Sequence, residues 1–241
     1  MKLVRRLANL GYGTRKDAMR LLQRGRVQDE AGSPLGPRDV DPGTALTVDG
    51  EPLDPRPPLV VLLHKPTGLV TSRDEPGQPT VYSALPPRFL ARTPALAPVG
   101  RLDKDTSGLL LLTDEGPLLH RLTHPRHHVP RVYEVQLARP VDDDALDRLR
   151  DGSLVLRGET TPLLPAGVER LAPGRLRMTL HEGRYHQVRR MVAAVGSHVG
   201  ALHRSQLGPL SLGALPPGAW RSLTPGEVTA LWEATGVASD G

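Results

Sequence analysis

The sequence has 241 residues, 38% of them hydrophobic, with no cysteine and a formal net charge of +5. No disulfide framework, thiolate nucleophile or cysteine-ligated metal is open to it. Aliphatic runs such as Leu109 to Leu112 fall far short of the ~20 residues of a membrane-spanning helix, so a soluble, cytoplasmic protein is expected. Lysine occurs only at Lys2, Lys16, Lys65 and Lys104, which leaves 27 arginines among 31 basic residues. Planar guanidinium groups suit bidentate phosphate binding, although GC-rich coding produces the same bias. The distribution of charge is therefore more telling than its sum.

Residues 1–26 carry Lys2, Arg5, Arg6, Arg15, Lys16, Arg20, Arg24 and Arg26 against the single acid Asp17. Leu3, Leu7 and Leu10 predict a first short helix. Thr14 is a natural N-cap for a second, whose apolar side is Ala18, Leu21 and Leu22. A turn at Arg24 to Val27 and a strand over Ala45 to Gly50 complete a small basic unit, with Asp29 to Pro42 interrupting the strand region. Asp54-Pro55-Arg56-Pro57-Pro58 reads as a semi-rigid linker, which divides the chain into domains 1–54 and 59–241. Beyond it, Leu59 to Leu63, Leu109 to Thr113, Tyr133 to Leu137 and Arg175 to Leu180 are predicted strands. Val141 to Arg150 and Gly183 to Val195 are predicted helices, the second with an apolar stripe of Val188, Met191, Val192 and Val195. Strands broken by irregularly spaced helices predict an α+β domain on a mixed or antiparallel sheet.

The segment Gly100-Arg101-Leu102-Asp103-Lys104-Asp105-Thr106-Ser107-Gly108-Leu109 places a carboxylate in a polar loop directly before a buried strand. A reactive group at the rim of a cleft needs that kind of rigid support. Taken alone, an aspartate in a loop is more often a turn or cap. The histidines His120, His124, His127 and His128 do not make a zinc site, because Pro125 breaks the helix that an i, i+4 pair requires. No phosphate loop of the Walker type and no dinucleotide fingerprint is present, which argues against an RNA methyltransferase. Aromatic residues, at 3%, are too few for a sheet that stacks successive bases.

Three ordered motifs change the weight of the aspartate. Gly100 to Leu112, Lys65-Pro66-Thr67-Gly68 with Ser72, and Glu182 to Met191 together resemble the pseudouridine synthases of the small-subunit and large-subunit ribosomal group. The first 52 residues resemble an S4-type RNA-binding domain. The resemblance implies that Asp103 is the catalytic carboxylate, acting at C1′ as a nucleophile or at C2′ as a base. It implies that Tyr133 stacks on the flipped uracil and that Arg189 is the charge partner of Asp103. Arg101 is a candidate for supporting the extruded nucleotide. Lys65, Arg184, His186 and Arg190 near the motifs, and Arg15, Lys16, Arg20 and Arg24 in the basic helices, are candidate RNA contacts. The family needs no metal and no organic cofactor. Tyr185-His186 and the Pro125 to His128 loop are closest to the small-subunit type, which implies one uridine of 16S ribosomal RNA, naked or in an assembling small subunit, as the substrate of a monomeric enzyme. The same reaction on 23S RNA, and a non-catalytic ribosome-assembly protein on the same fold, are the competing readings.

Overall fold

A computed structural model of the chain describes residues 2–236. The basic segment forms two helices, α1 (Leu3–Asn9) and α2 (Arg15–Gln23), followed by three short strands, β1 (Val27–Gln28), β2 (Thr47–Val48) and β3 (Glu51–Pro52). Thr14 caps α2 as its sequence predicts. The hydroxyl of Thr14 accepts from the Asp17 amide, and the Asp17 carboxylate accepts from the Thr14 amide, so two orphan helix donors are satisfied reciprocally. Asp49 and Gly50, both at positive φ, turn β2 back onto β3. Leu3, Leu7, Ala18, Leu22, Val27, Leu46 and Val48 pack into a small core of their own.

The 54–58 segment is fastened to the 86–92 region. The Arg88 guanidinium grips the buried carboxylate of Asp54, and Arg92 donates to the Pro55 carbonyl. Gly11 abuts the Arg88 backbone so closely that a Cβ there would lie 2.0 Å from its carbonyl oxygen.

The rest of the described residues build one mixed sheet from β4 (Val60–Lys65), β5 (Ala97–Pro98), β6 (Thr106–Thr113), β7 (Arg131–Leu137), β8 (Gly167–Ala172), β9 (Arg175–Leu180), β10 (Val199–Leu207), β11 (Leu210–Ser211) and β12 (Trp220–Ser222). The spatial order is β12-β4-β6-β10-β7-β9-β8, with β5 on β6 and β11 on β10. Every pairing is antiparallel except β6 with β10. Among the described residues four helices pack against the sheet: α3 (Gly116–Thr123), α4 (Asp143–Arg150), α5 (Gln187–Ala194) and α6 (Pro225–Glu233).

Alternation along β6 explains the layers. Leu109 and Leu111 face α3 and α6, whereas Leu110 and Leu112 face the segment that contains Tyr82 and Phe89. All four leucines are fully buried, each contributing roughly 1.5–3 kcal/mol of transfer free energy. On the same side as Leu110, α4 and α5 cover β7, β8 and β9 through a second cluster that includes Val135, Met178, Val188 and Met191. Tyr133 touches both clusters. The groove between them is where the polar loops of the sequence motifs converge.

Candidate active site

A single row of residues crosses the sheet beneath that groove: Lys65, Gly108, Arg204, Tyr133 and Met178 are successive register partners on β4, β6, β10, β7 and β9. The parallel contact of β6 with β10 is unusually close at Gly108. A Cβ there would stand 2.2 Å from the Arg204 carbonyl oxygen, and the backbone φ is +116°, so only glycine is accommodated without displacing main chain. Arg204 is itself buried and donates from Nε to the Leu109 carbonyl at 2.8 Å.

Asp103 precedes β6 in a loop pinned from below. The Lys65 ammonium donates to the carbonyls of Asp103 (3.0 Å), Lys104 (3.3 Å), Thr106 (2.7 Å) and Pro66 (3.1 Å). The Thr71 hydroxyl donates to the Leu102 carbonyl at 2.7 Å, and the Gly68 amide bonds the Lys104 carbonyl at 2.8 Å. Burial pulls the Lys65 ammonium down to about 8, against the opposing pull of Asp103 and Asp105. Lys65 is thus not an RNA contact: it is wholly buried, and its donors face backbone carbonyls rather than phosphate.

The third motif closes the other wall. Helix α5 begins at Gln187, four residues after the predicted start, because the segment before it is a fastened loop. The buried Gln187 side chain accepts from the Arg184 amide (2.9 Å) and donates to Glu182 (3.0 Å). The Arg184 guanidinium pairs with Glu159 and Glu182 and bonds the Thr161 and Pro162 carbonyls. Arg190 pairs with Glu159 at 2.5 Å and bonds the Arg157 carbonyl at 2.7 Å. Both arginines therefore differ from the expected RNA contacts. Their charges are matched by carboxylates, and they tie the loop to the 157–162 segment. Glu159 and Thr71 were missed in the sequence; Glu159 lies 25 residues from Arg184, and no local pattern marks either residue.

Asp103 meets that loop directly. One carboxylate oxygen lies 3.5 Å from Arg189 Nε on α5, and the other lies 3.2 Å from His186 Nε2. His186, expected at RNA, is therefore placed at the carboxylate, in the left-handed region at φ 49°. Its ring stacks on that of Tyr185, with centroids 3.9 Å apart. Arg101, Asp103, Tyr133, His186 and Arg189 line one cleft of about 530 Å³, floored by Thr106 and Leu202. The volume suits one nucleoside and not a run of bases. Arg15, Lys16, Arg20 and Arg24 lie elsewhere, exposed on and just after α2, with Arg20 paired to Asp17 at 3.3 Å.

A carboxylate, a guanidinium and an aromatic ring are thus gathered around one nucleoside-sized cleft. Residues 59–194 match the family model described as RNA pseudouridylate synthase. The chain belongs to the RNA pseudouridylate synthase family. It is 38% identical to an uncharacterized RNA pseudouridine synthase of Bacillus subtilis, over 97% of this chain and 99% of that protein. It is 43% identical to the ribosomal small subunit pseudouridine synthase A of Escherichia coli, over 77% of this chain and 80% of that protein. A crystal structure of a pseudouridylate synthase superposes with a TM-score of 0.68 at 36% identity, covering 95% of this chain and 98% of that one. The protein is an isomerase that converts uridine to pseudouridine. Among the described residues no helix is long and apolar enough to cross a membrane.

Proposed function

We propose that this synthase isomerises one uridine of 16S ribosomal RNA, with Asp103 as the catalytic carboxylate. The observation that carries the reading is the convergence of Asp103, Arg189 and Tyr133 on one cleft from three separate elements. Identity to a protein named for the small ribosomal subunit supports the choice of RNA.

The uridine must leave its stack to reach Asp103 at the cleft. The carboxylate attacks C1′ or takes a proton from C2′; either route breaks the C1′–N1 bond. The freed uracil turns and rejoins through C5. C5 then loses a proton and N1 gains one, so the sum is an isomerisation that consumes nothing. Tyr133 holds the ring of the detached uracil against the sheet, and its hydroxyl is available to the C5 proton. Arg189 supplies the fixed positive charge that orients the carboxylate. Arg101, exposed at the same cleft, supports the extruded nucleotide.

The basic helices form an S4-like RNA-binding module in this reading. Arg15, Lys16, Arg20 and Arg24 face solvent around α2, where phosphate contacts fix which RNA structure is offered to the cleft. The test is Asp103→Asn, which keeps the shape and removes the charge and basicity. Tritium release from C5-labelled uridine in a 16S transcript should vanish while RNA affinity stays within a few-fold. Turnover retained by Asp103→Asn would remove Asp103 from the chemistry.

A further inference from the structure

Tyr185 has no structural task that accounts for its position. In a chain with 3% aromatic residues, this tyrosine is 77% exposed at the mouth of the cleft. Its hydroxyl has no hydrogen-bond partner among the described residues. One ring face lies on His186, at 3.9 Å and 17° from parallel, and so large an exposure leaves the other face to solvent. The stack is held by features that are costly to keep. His186 adopts a left-handed backbone that residues with a Cβ disfavour, and in that conformation its Nε2 reaches Asp103 at 3.2 Å. The Arg190 guanidinium bonds the Tyr185 carbonyl at 3.2 Å and anchors the same residue to Glu159. An aromatic face presented to water, beside a reactive carboxylate and on a braced backbone, is the arrangement that stacks a base irrespective of its sequence.

We propose that the free face of Tyr185 is a stacking platform for the nucleobase adjacent to the target uridine. This rests on the reading that the cleft takes a uridine flipped from RNA. A flipped uridine leaves its chain neighbour without a stacking partner. The order Asp103, His186, Tyr185 sets the platform about one further stacking interval, ~3.4 Å, beyond the histidine. The neighbouring base stacks on Tyr185 in place of the uridine, so extrusion is favoured by binding energy gathered beside the reacting atoms. Tyr185 binds and positions RNA; it does not take part in bond making.

The test uses the full chain with Tyr185→Phe, Tyr185→Leu and Tyr185→Ala, and measures steady-state tritium release from C5-labelled transcripts. Tyr185→Ala and Tyr185→Leu should raise KM by about tenfold, the order expected when one base–aromatic stack is removed, with a smaller effect on kcat. Tyr185→Phe should restore KM, because the ring and not the hydroxyl is used. An RNA fragment made abasic at one flanking nucleotide should raise the wild-type KM similarly and add little to Tyr185→Ala. An unchanged KM in Tyr185→Ala would overturn the platform, as would equal behaviour of leucine and phenylalanine, or a penalty that adds in full to abasic sites on both sides. Wild-type protein that releases no tritium from any ribosomal transcript overturns the underlying reading instead, and does so before a variant is compared.

Discussion

Replacing Lys65 by methionine keeps an unbranched side chain that reaches Cε and deletes the ammonium. The loop that carries Asp103 then loses three charged hydrogen bonds, to the carbonyls of Asp103, Lys104 and Thr106. At roughly 1.5 kcal/mol or more each, they fasten the loop by on the order of 5 kcal/mol. Against this stands the burial of the charge itself, which draws Lys65 from 10.5 to about 8 and so costs about 3 kcal/mol. Global stability should therefore fall by only about 1–3 kcal/mol in urea unfolding. Activity should suffer more, because a ~1 Å displacement of a reacting group costs on the order of a hundredfold in rate. The assay is kcat for tritium release, measured beside the dependence of RNA affinity on salt. The salt slope should not change, since a buried lysine neutralises no phosphate. Wild-type kcat, or a slope reduced by about one, would refute the assignment. The pH dependence gives a second reading of the same group. The folded-state value lies below the unfolded one, so between pH 8 and 10.5 the unfolded chain holds the extra proton. Wild type should gain up to about 3 kcal/mol of stability relative to Lys65→Met across that window, rising with pH.

Gly108→Ala should destabilise the protein by more than about 3 kcal/mol, because its Cβ would meet the Arg204 backbone at 2.2 Å and its φ is +116°; a loss under about 1 kcal/mol in urea unfolding would show that β6 and β10 can separate freely. Replacing Arg15, Lys16, Arg20 and Arg24 together by serine should lower the slope of log affinity against log salt by about 0.7–0.9 for each phosphate no longer neutralised. An unchanged slope would take the basic helices away from RNA.

The elements that the sequence disclosed are those whose stabilising interactions are local. Thr14 and Asp17 cap α2 within one turn, Asp142 caps α4 just ahead of its apolar stripe, and the aliphatic runs at Leu59 and Leu109 lie in β4 and β6. The α+β mixed sheet follows from strands broken by irregularly spaced helices. The four-residue error at the start of α5 has a tertiary cause, since Arg184, Tyr185 and His186 are held out of the helix by Glu159 and Asp103. Charged residues were misread for the same reason. Glu182 stands two residues from Arg184, but nothing near Lys65, Arg184 or Arg190 in sequence reveals that the distant Glu159 or a row of carbonyls will occupy the remaining donors. Some missed elements did carry a signal: Thr224, Pro225 and Glu227 spell a capping box with proline in the first turn, and α6 begins there. Within the cleft, the juxtaposition of Asp103 with Arg189 was legible only through the motifs, because β6, β7, β8 and β9 all fold between the two in the chain.

The central claim is tested most directly by incubating the purified chain with unmodified 16S and 23S transcripts and mapping pseudouridine by carbodiimide treatment and primer extension. One new site in the 16S transcript, absent with Asp103→Asn and absent from 23S, is the predicted result. A site formed only in 23S would contradict the choice of RNA, and no site in either would contradict the proposed activity on ribosomal RNA.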